Sequence, residues 1–401
     1  MLSFRQEVSF VILKNGNVFL DGKIKKCDVR FSQSITGIGE FADEEYIDAE
    51  GKFVFPGFID IHTHGGGGGD FMDAEEESFE RALRFHAENG TTSVLATSVT
   101  APVADIEKML AVTRKFMNKK TDRGARVIGA HVEGPYISLK NKGAQHERHL
   151  RVPALDPYGF ILDSCDVIKT VTVSPELDGA AEMIEKMTAK GIVVSGGHDD
   201  GYFEKVKEAI DAGMTHCTHI WCAMSGAKMR NGKRTAGLLE TALLSDKLTV
   251  EVIADNCHIS PLMLELIYKL KGSGKMCLVS DCLRGGGMKE DERLYKLGSK
   301  NDPDAVDFIV FGGVARLPDN SRLAGSVMPL AQMLKNVVRD AKIPLEEAVK
   351  TVTDTPAEII HEKNIGKIKP GNKADFCIMS KDLVPLMTII DGKTVYEKGR
   401  C

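Results

Sequence analysis

The chain has 401 residues, 43% of them hydrophobic and 27% charged. That balance excludes a disordered chain, a collagen-like repeat and a disulfide-dense scaffold. With 52 basic and 57 acidic side chains the formal charge is −5, so no global basic field exists to hold nucleic acid or an anionic membrane, and an anionic small ligand needs a local pocket.

The first fifty residues predict short strands and tight turns. VSFVILKN, GNVFLDGKIK and CDVRFSQSITGIG alternate apolar and polar residues, with Asn15-Gly16 and Asp21-Gly22 as hairpin turns. The middle then alternates apolar runs with amphipathic stretches. The runs are FVFPGFIDIHTH, TTSVLATSV, RVIGAHVEG, VIKTVTVSPE, GIVVSGGH, MTHCTHI, LTVEVIAD and KMCLVSD. Helix-like segments between them include AEEESFERALRFHAEN, DIEKMLAVTRKFM, AAEMIEKMTAK, GYFEKVKEAIDAG and SPLMLELIYKLK. This is the βα pattern of a parallel sheet, and eight runs favour a closed α/β barrel over a doubly wound sheet. Residues 285–323 predict an inserted hairpin region. The last stretch, IGKIKPGNKADFCIMS and LMTIIDGKTVYEKG, returns to strands, with turns at Pro370-Gly371 and Asp391-Gly392. The expected organisation is a (β/α)8 barrel over 56–360 and a small β-sandwich domain built from both chain termini, 1–55 plus 361–401. That division accounts for a chain longer than the roughly 250 residues a barrel needs.

Nine cysteines without a CxxC pair predict reduced thiols and a cytoplasmic protein. The N-terminal MLSFRQEVSFVILKNG lacks the layout of a signal peptide, and no apolar run approaches the roughly 20 residues of a membrane span.

Seven of the eleven histidines fall at or just beyond the ends of the apolar runs: His62, His64, His131, His198, His216, His219 and His258. Glu133 and Asp281 end runs too. In a βα barrel these ends converge on the active-site face. His62-Thr63-His64 has period two, so both imidazoles face one side of a strand, a geometry suited to chelating a metal. The five glycines after it let the backbone pass close to a ligand. His131 and Glu133 share the period-two spacing. His216 lies three positions before His219 and faces the other way, which assigns His216 a structural role and leaves one ligand in the pair.

These motifs, PGFIDIHTHG, HVEGPY with KGAQ, SGGH, THIWCAM, IADNCHIS, LVSD and GKIKPGNKADF, resemble the amidohydrolase superfamily. Within it they are most similar to the N-acetylglucosamine-6-phosphate deacetylase family, in order along nearly the whole chain. The resemblance implies a metal-dependent (β/α)8 barrel that removes the acetyl group from an acetamido sugar phosphate. It implies one or two divalent metal ions (Zn, Fe(II), Mn or Co) held by His62, His64, Glu133, His198 and His219, with Asp281 as general base. It further implies substrate contacts from His258 and Gln145, phosphate contacts from the backbone at Cys222 and Ala223, and a homodimer. The family's phosphate-binding Arg follows the Ala-Met pair in a short loop. Here that loop is the longer SGAKMRNGKRTAG, in which either Arg230 or Arg234 fills the role. Three alternatives remain open: another acylated amino sugar, galacto or unphosphorylated; a different amide-hydrolysing relative; or a non-catalytic scaffold. The rim end of the fourth run, VTVSPE, has no lysine to carboxylate, and every expected metal ligand is present.

Overall fold

In the computed structural model, residues 10–42, 45–120, 122–291 and 293–399 are described. The first residues of the N-terminal stretch read for a signal peptide, the start of its first strand-like run at Val8, and Cys401 lie outside them. All eight apolar runs form strands of one parallel sheet: β1 (Phe58–Thr63), β2 (Thr91–Thr97), β3 (Arg126–Glu133), β4 (Ile168–Val173), β5 (Val193–Gly196), β6 (His216–Cys217), β7 (Thr249–Val252) and β8 (Met276–Leu278). Spatial order follows chain order. The two ends meet just beyond the last paired residues. The Asp281 N–H donates to the His62 carbonyl at 2.9 Å, and the Ser280 N–H donates to the Asp60 carboxylate at 3.2 Å. A helix follows each strand, from Glu76–Glu88 after β1 to Leu330–Arg339 after β8. Strands covered on both faces read as continuous apolar runs, which is why their count was visible in the sequence.

A second, mixed sheet of eight strands takes Val11–Leu20, Lys23–Phe31, Ile35–Gly39, Glu45–Asp48 and Phe53–Pro56 from one end of the chain. It takes Phe376–Met379, Pro385–Ile390 and Lys393–Glu397 from the other. Phe53–Pro56 pairs antiparallel with Phe376–Met379 and so joins the two ends. Phe31 and Phe376, one from each end, meet edge to face at 5.2 Å in a core separate from that of the barrel. The run FVFPGFIDIHTH, read as one strand, is therefore two. Gly57 is the break: a Cβ there would lie 2.2 Å from the Thr92 side chain, so only glycine lets the chain cross from sheet to barrel.

The inserted region is a four-stranded antiparallel ribbon, Tyr295–Lys296, Asp307–Phe311, Val314–Arg316 and Leu323–Ser326. It is pinned to the end of β8, where the Ser326 N–H donates to the Asp281 carbonyl and the Leu283 N–H to the Ser326 carbonyl, both at 2.9 Å. No helix among the described residues is long and apolar enough to cross a membrane.

Candidate metal centre and active site

The carboxyl ends of the barrel strands bring His62 and His64 (β1), Glu133 (β3), His198 (after β5), His219 (after β6) and Asp281 (after β8) to one point. All six are buried. Glu133 is the hub. Its Oε1 lies 3.1 Å from His198 Nε2 and 3.1 Å from His219 Nε2, and the two imidazole nitrogens are 3.2 Å apart. Its Oε2 lies 3.4 Å from His64 Nε2, and His62 Nε2 is 3.6 Å from Oε1. Asp281 Oδ1 faces the same pair, 3.1 Å from His64 Nε2 and 3.6 Å from His62 Nε2.

These separations suit a divalent ion. Metal–nitrogen bonds of about 2.05 Å in a tetrahedral site place donors about 3.3 Å apart. His62 Nε2 is a buried nitrogen with no hydrogen-bond partner, aimed at two carboxylates, an arrangement that a cation between them would satisfy. Two overlapping donor sets share Glu133: His62 with His64, and His198 with His219.

Electrostatics agree. Burial alone would raise the Glu133 carboxyl, but the charge on His62 and hydrogen bonds from His198 and His219 hold it well below the ordinary carboxylate value. Burial opposes protonation of His64, yet Asp281 and Glu133 push its pKa up to about 9. The centre thus stabilises positive charge among buried carboxylates. Backbone strain concentrates in the same place. His198 (φ 49°), His219 (φ 21°) and Asp281 (φ 44°) all adopt the left-handed region that non-glycine residues avoid.

The remaining contacts orient the donors. His198 Nδ1 faces the Asn141 carbonyl at 2.9 Å. His62 Nδ1 faces Glu251 Oε2 at 2.8 Å. Gln145, expected at the substrate, donates its amide to Glu133 Oε2 at 2.8 Å while its carbonyl accepts the Thr100 N–H at 2.6 Å. It lines the cavity, but both ends of its amide are committed, one to Glu133 and the other to the Thr100 backbone. His131, next to Glu133 in the period-two reading, instead bonds Thr172 Oγ1 at 2.8 Å and stacks edge-on to His62. Burial and the neighbouring His62 push its pKa down to about 3, so it is neutral.

Above the centre lies a cavity of about 410 Å³, within the usual range for a small-molecule site. His64, Glu133, His198, His219 and Asp281 line it, as do His258, Cys222 and Ala223. His258 is fixed by Asp255, which bonds its Nδ1 at 2.7 Å and its backbone N–H at 2.8 Å. Burial opposes protonation of His258, but Asp255 raises its pKa overall. The Cys222 N–H is used inside the turn, donating to the His219 carbonyl at 2.9 Å, so it is not free for a phosphate.

The basic loop is placed differently from expectation. Arg230 and Arg234 lie on an exposed hairpin, Lys228–Arg230 against Lys233–Thr235, and neither lines the cavity. Arg230 stacks over Tyr202 at 4.4 Å and pairs with Glu204 at 3.4 Å. The cations on the cavity wall are Lys140, beside Asn141, and Arg322, whose guanidinium donates to the Gly143 carbonyl at 3.1 Å. The glycine run does not line the cavity either. Gly65–Gly66 pairs with Gly69–Asp70, and a Cβ on Gly65 would meet the Gly69 carbonyl at 2.1 Å, so the run serves the chain's own packing.

Glu251 and Arg322 are functional-site residues that the sequence pattern does not single out. The signal for Glu251 was a single carboxylate in the middle of the apolar run LTVEVIAD. Arg322 had no signal, since only the folded ribbon brings it to the wall.

The amidohydrolase family model matches residues 53–395. The chain is 34% identical over 348 residues to an N-acetylglucosamine-6-phosphate deacetylase of Vibrio furnissii, covering 86% of this chain and 83% of that protein. The crystal structure of the N-acetylglucosamine-6-phosphate deacetylase of Pasteurella multocida superposes with a TM-score of 0.88 at 25% identity, covering 96% of this chain and 99% of that one. A mutant of the Mycobacterium smegmatis enzyme, in complex with N-acetyl-D-glucosamine-6-phosphate, superposes with a TM-score of 0.86 at 27% identity, covering 96% and 99%. Barrel, donor set and sequence agree: the chain belongs to the amidohydrolase family.

Proposed function

We propose that the chain hydrolyses the acetamido group of N-acetylglucosamine 6-phosphate, giving glucosamine 6-phosphate and acetate. The observation that carries this reading is the convergence of five metal-type donors and Asp281 on one point, four of the donors and Asp281 lining a cavity of about 410 Å³, in a chain similar along its length to enzymes named for that reaction.

His62, His64, Glu133, His198 and His219 would hold one or two divalent ions. Imidazole and carboxylate donors without a thiolate suit Zn, Fe(II), Mn or Co. When bound, such an ion supplies Lewis acidity and makes water acidic enough to act as a nucleophile near neutral pH. Asp281 accepts the proton of the attacking water. It then returns that proton to the amide nitrogen as the C–N bond breaks, because the unprotonated amine is too poor a leaving group. Burial would raise the Asp281 carboxyl, but His64 and His62 keep it below its ordinary value, so it is ionised and ready to accept. His258, its Nδ1 committed to Asp255, presents its other nitrogen to the developing oxyanion, a contribution of roughly 3–4 kcal/mol per donor in comparable sites. Lys140, Asn141 and Arg322 receive the phosphate.

The same reading places the protein in the cytoplasm, supported by eight described cysteines that are all free thiols. It also includes a homodimer, for which the exposed row Leu262, Leu266 and Leu270 offers an apolar surface. Light scattering on the purified protein checks that state.

The deciding experiment measures deacetylation of N-acetylglucosamine with and without the 6-phosphate, with metal content determined on the same sample. The phosphorylated sugar is expected to have a kcat/KM higher by roughly 100-fold, the worth of about 2.7 kcal/mol of charge-assisted contacts. Equal rates would remove phosphate from the substrate; no hydrolysis of either sugar by metal-loaded protein would end the proposal.

A further inference from the structure

We infer that Glu251 is a positioning residue that presets the metal centre, fixing His62 as the tautomer protonated on Nδ1 and tying that ring to the backbone of His219. The inference rests on the proposed metal binding and not on the identity of the sugar.

Glu251 sits in the middle of β7, fully buried. That layer of a barrel interior is normally filled by a branched apolar side chain. A buried carboxylate is costly unless its oxygens are satisfied, and three donors converge on this one. His62 Nδ1 lies 2.8 Å from Oε2, the His219 N–H lies 3.2 Å from the same oxygen, and His216 Nε2 lies 3.2 Å from Oε1. An ionised carboxylate only accepts hydrogen bonds, so each of these nitrogens carries its hydrogen toward Glu251. When His62 gives up its second proton to hold a metal, its lone pair is thereby placed on Nε2, the atom that faces Glu133 and Asp281.

The other donors lack such a partner. His198 Nδ1 meets a neutral backbone carbonyl, and His64 Nδ1 and His219 Nδ1 have no partner among the described residues. Among the described residues only His62, of the histidine ligands, is backed by a carboxylate, which both orients the ring and strengthens it as a donor. Because Glu251 also accepts from the backbone of His219, one side chain couples the first-strand ligand to the sixth-strand ligand. His216, which the sequence set aside as structural, holds the other oxygen of Glu251. Its own Nδ1 is held by Thr249 Oγ1 at 2.6 Å.

The test is zinc binding to the metal-free full chain, by chelator competition and by zinc content after dialysis, with Glu251→Gln and His216→Gln beside the wild type. Glutamine keeps the shape of Glu251 but turns one of its two acceptor oxygens into a donor, so it cannot serve all three nitrogens. Glu251→Gln is expected to weaken the zinc held by His62 and His64 roughly 10- to 100-fold and any equivalent held by His198 and His219 less, while the far-ultraviolet circular dichroism of the metal-free protein stays unchanged. His216→Gln, which disturbs only the second oxygen, is expected to weaken the same equivalent roughly 3- to 10-fold. Wild-type zinc affinity for every equivalent in Glu251→Gln overturns the assignment, as does equal weakening of all equivalents together with lost secondary structure. Should Glu251→Gln fail to fold, an unchanged zinc affinity in His216→Gln overturns it. No sugar enters the measurement, so a protein that binds zinc in this way and fails to deacetylate would refute the proposed function alone.

Discussion

Replacing Asp281 by asparagine tests the proposed chemistry with the least disturbance to shape. The backbone would stay in place, since Asp281 is held there by its N–H on the His62 carbonyl and its carbonyl on the Ser326 N–H, both at 2.9 Å. The amide can still lie 3.1 Å from His64 Nε2, where Oδ1 now sits. What is lost is the capacity to take and return a proton. General acid–base assistance is worth roughly 100- to 10,000-fold, or about 2.7–5.4 kcal/mol of barrier at 1.36 kcal/mol per decade. The same group is assigned both transfers, and the slower one governs, so the expected fall in kcat is at least 100-fold. KM and zinc content should change little. The assay is acetate release under saturating sugar phosphate, with zinc measured on each preparation. A kcat within tenfold of wild type, with zinc retained, would refute the role. So would a loss of activity that simply tracks a loss of zinc, because Asp281 would then be acting as a ligand.

Lys140→Ala and Arg322→Ala are each expected to raise KM for the phosphorylated sugar about tenfold and to leave the plain sugar unaffected; Arg230→Ala and Arg234→Ala should do neither in steady-state assays. Arg126 joins β3 to the terminal β domain, its guanidinium reaching Asp375 at 2.8 and 3.0 Å and Asp391 at 2.8 Å. Arg126→Met should cost about 3 kcal/mol in urea unfolding, the low end for orphaning a buried carboxylate, because Asp375 keeps a hydrogen bond from the Asp391 N–H at 2.8 Å. Chelation should lower the melting temperature and zinc should restore it, since an ion at 100 times its Kd adds about 2.7 kcal/mol; a melting temperature indifferent to chelator would argue against a resident metal. Asp354 provides a pH test, because burial pushes its carboxyl up to about 6 and Lys367, 3.7 Å away, offsets this only in part. The folded state therefore disfavours its ionised form, so wild-type stability should fall relative to Asp354→Asn as pH rises from about 4 to about 6. Paired melts at acid and neutral pH read this directly, and a difference that does not change with pH would contradict it.

The features legible in the sequence are those that repeat in a one-dimensional pattern. Barrel strands covered on both faces leave uninterrupted apolar runs, and a polar residue closing such a run marks the active-site rim, which is how His62, Glu133, His198, His219 and Asp281 stood out. Glu251 escaped because it lies inside a run, where a lone charge in a short strand carries no period. The basic loop misled through composition: Lys228, Arg230, Lys233 and Arg234 gather charge in sequence, but a tight hairpin turns that segment outward, where Arg230 is occupied by Tyr202 and Glu204. Lys140 and Arg322 stand 182 positions apart (322 − 140), so nothing local announces that they share a wall. The break at Gly57 was hidden for a different reason, since a strand leaving one sheet and a strand entering the next look alike when both are apolar.

The inserted ribbon leaves the barrel and returns to it at nearly one place, with Leu283 and Ser326 hydrogen-bonded to each other at 2.9 Å. An excursion whose ends already touch can be exchanged as a cassette, because the host needs no change in the distance it must span. Everything this cassette offers to the cavity, Leu297 and Arg322 through Gly325, belongs to the wall, while the donors and Asp281 stay with the barrel. Grafting a ribbon of other composition between these two residues is therefore a direct way to redirect which head group the enzyme accepts while leaving the hydrolytic machinery in its own register.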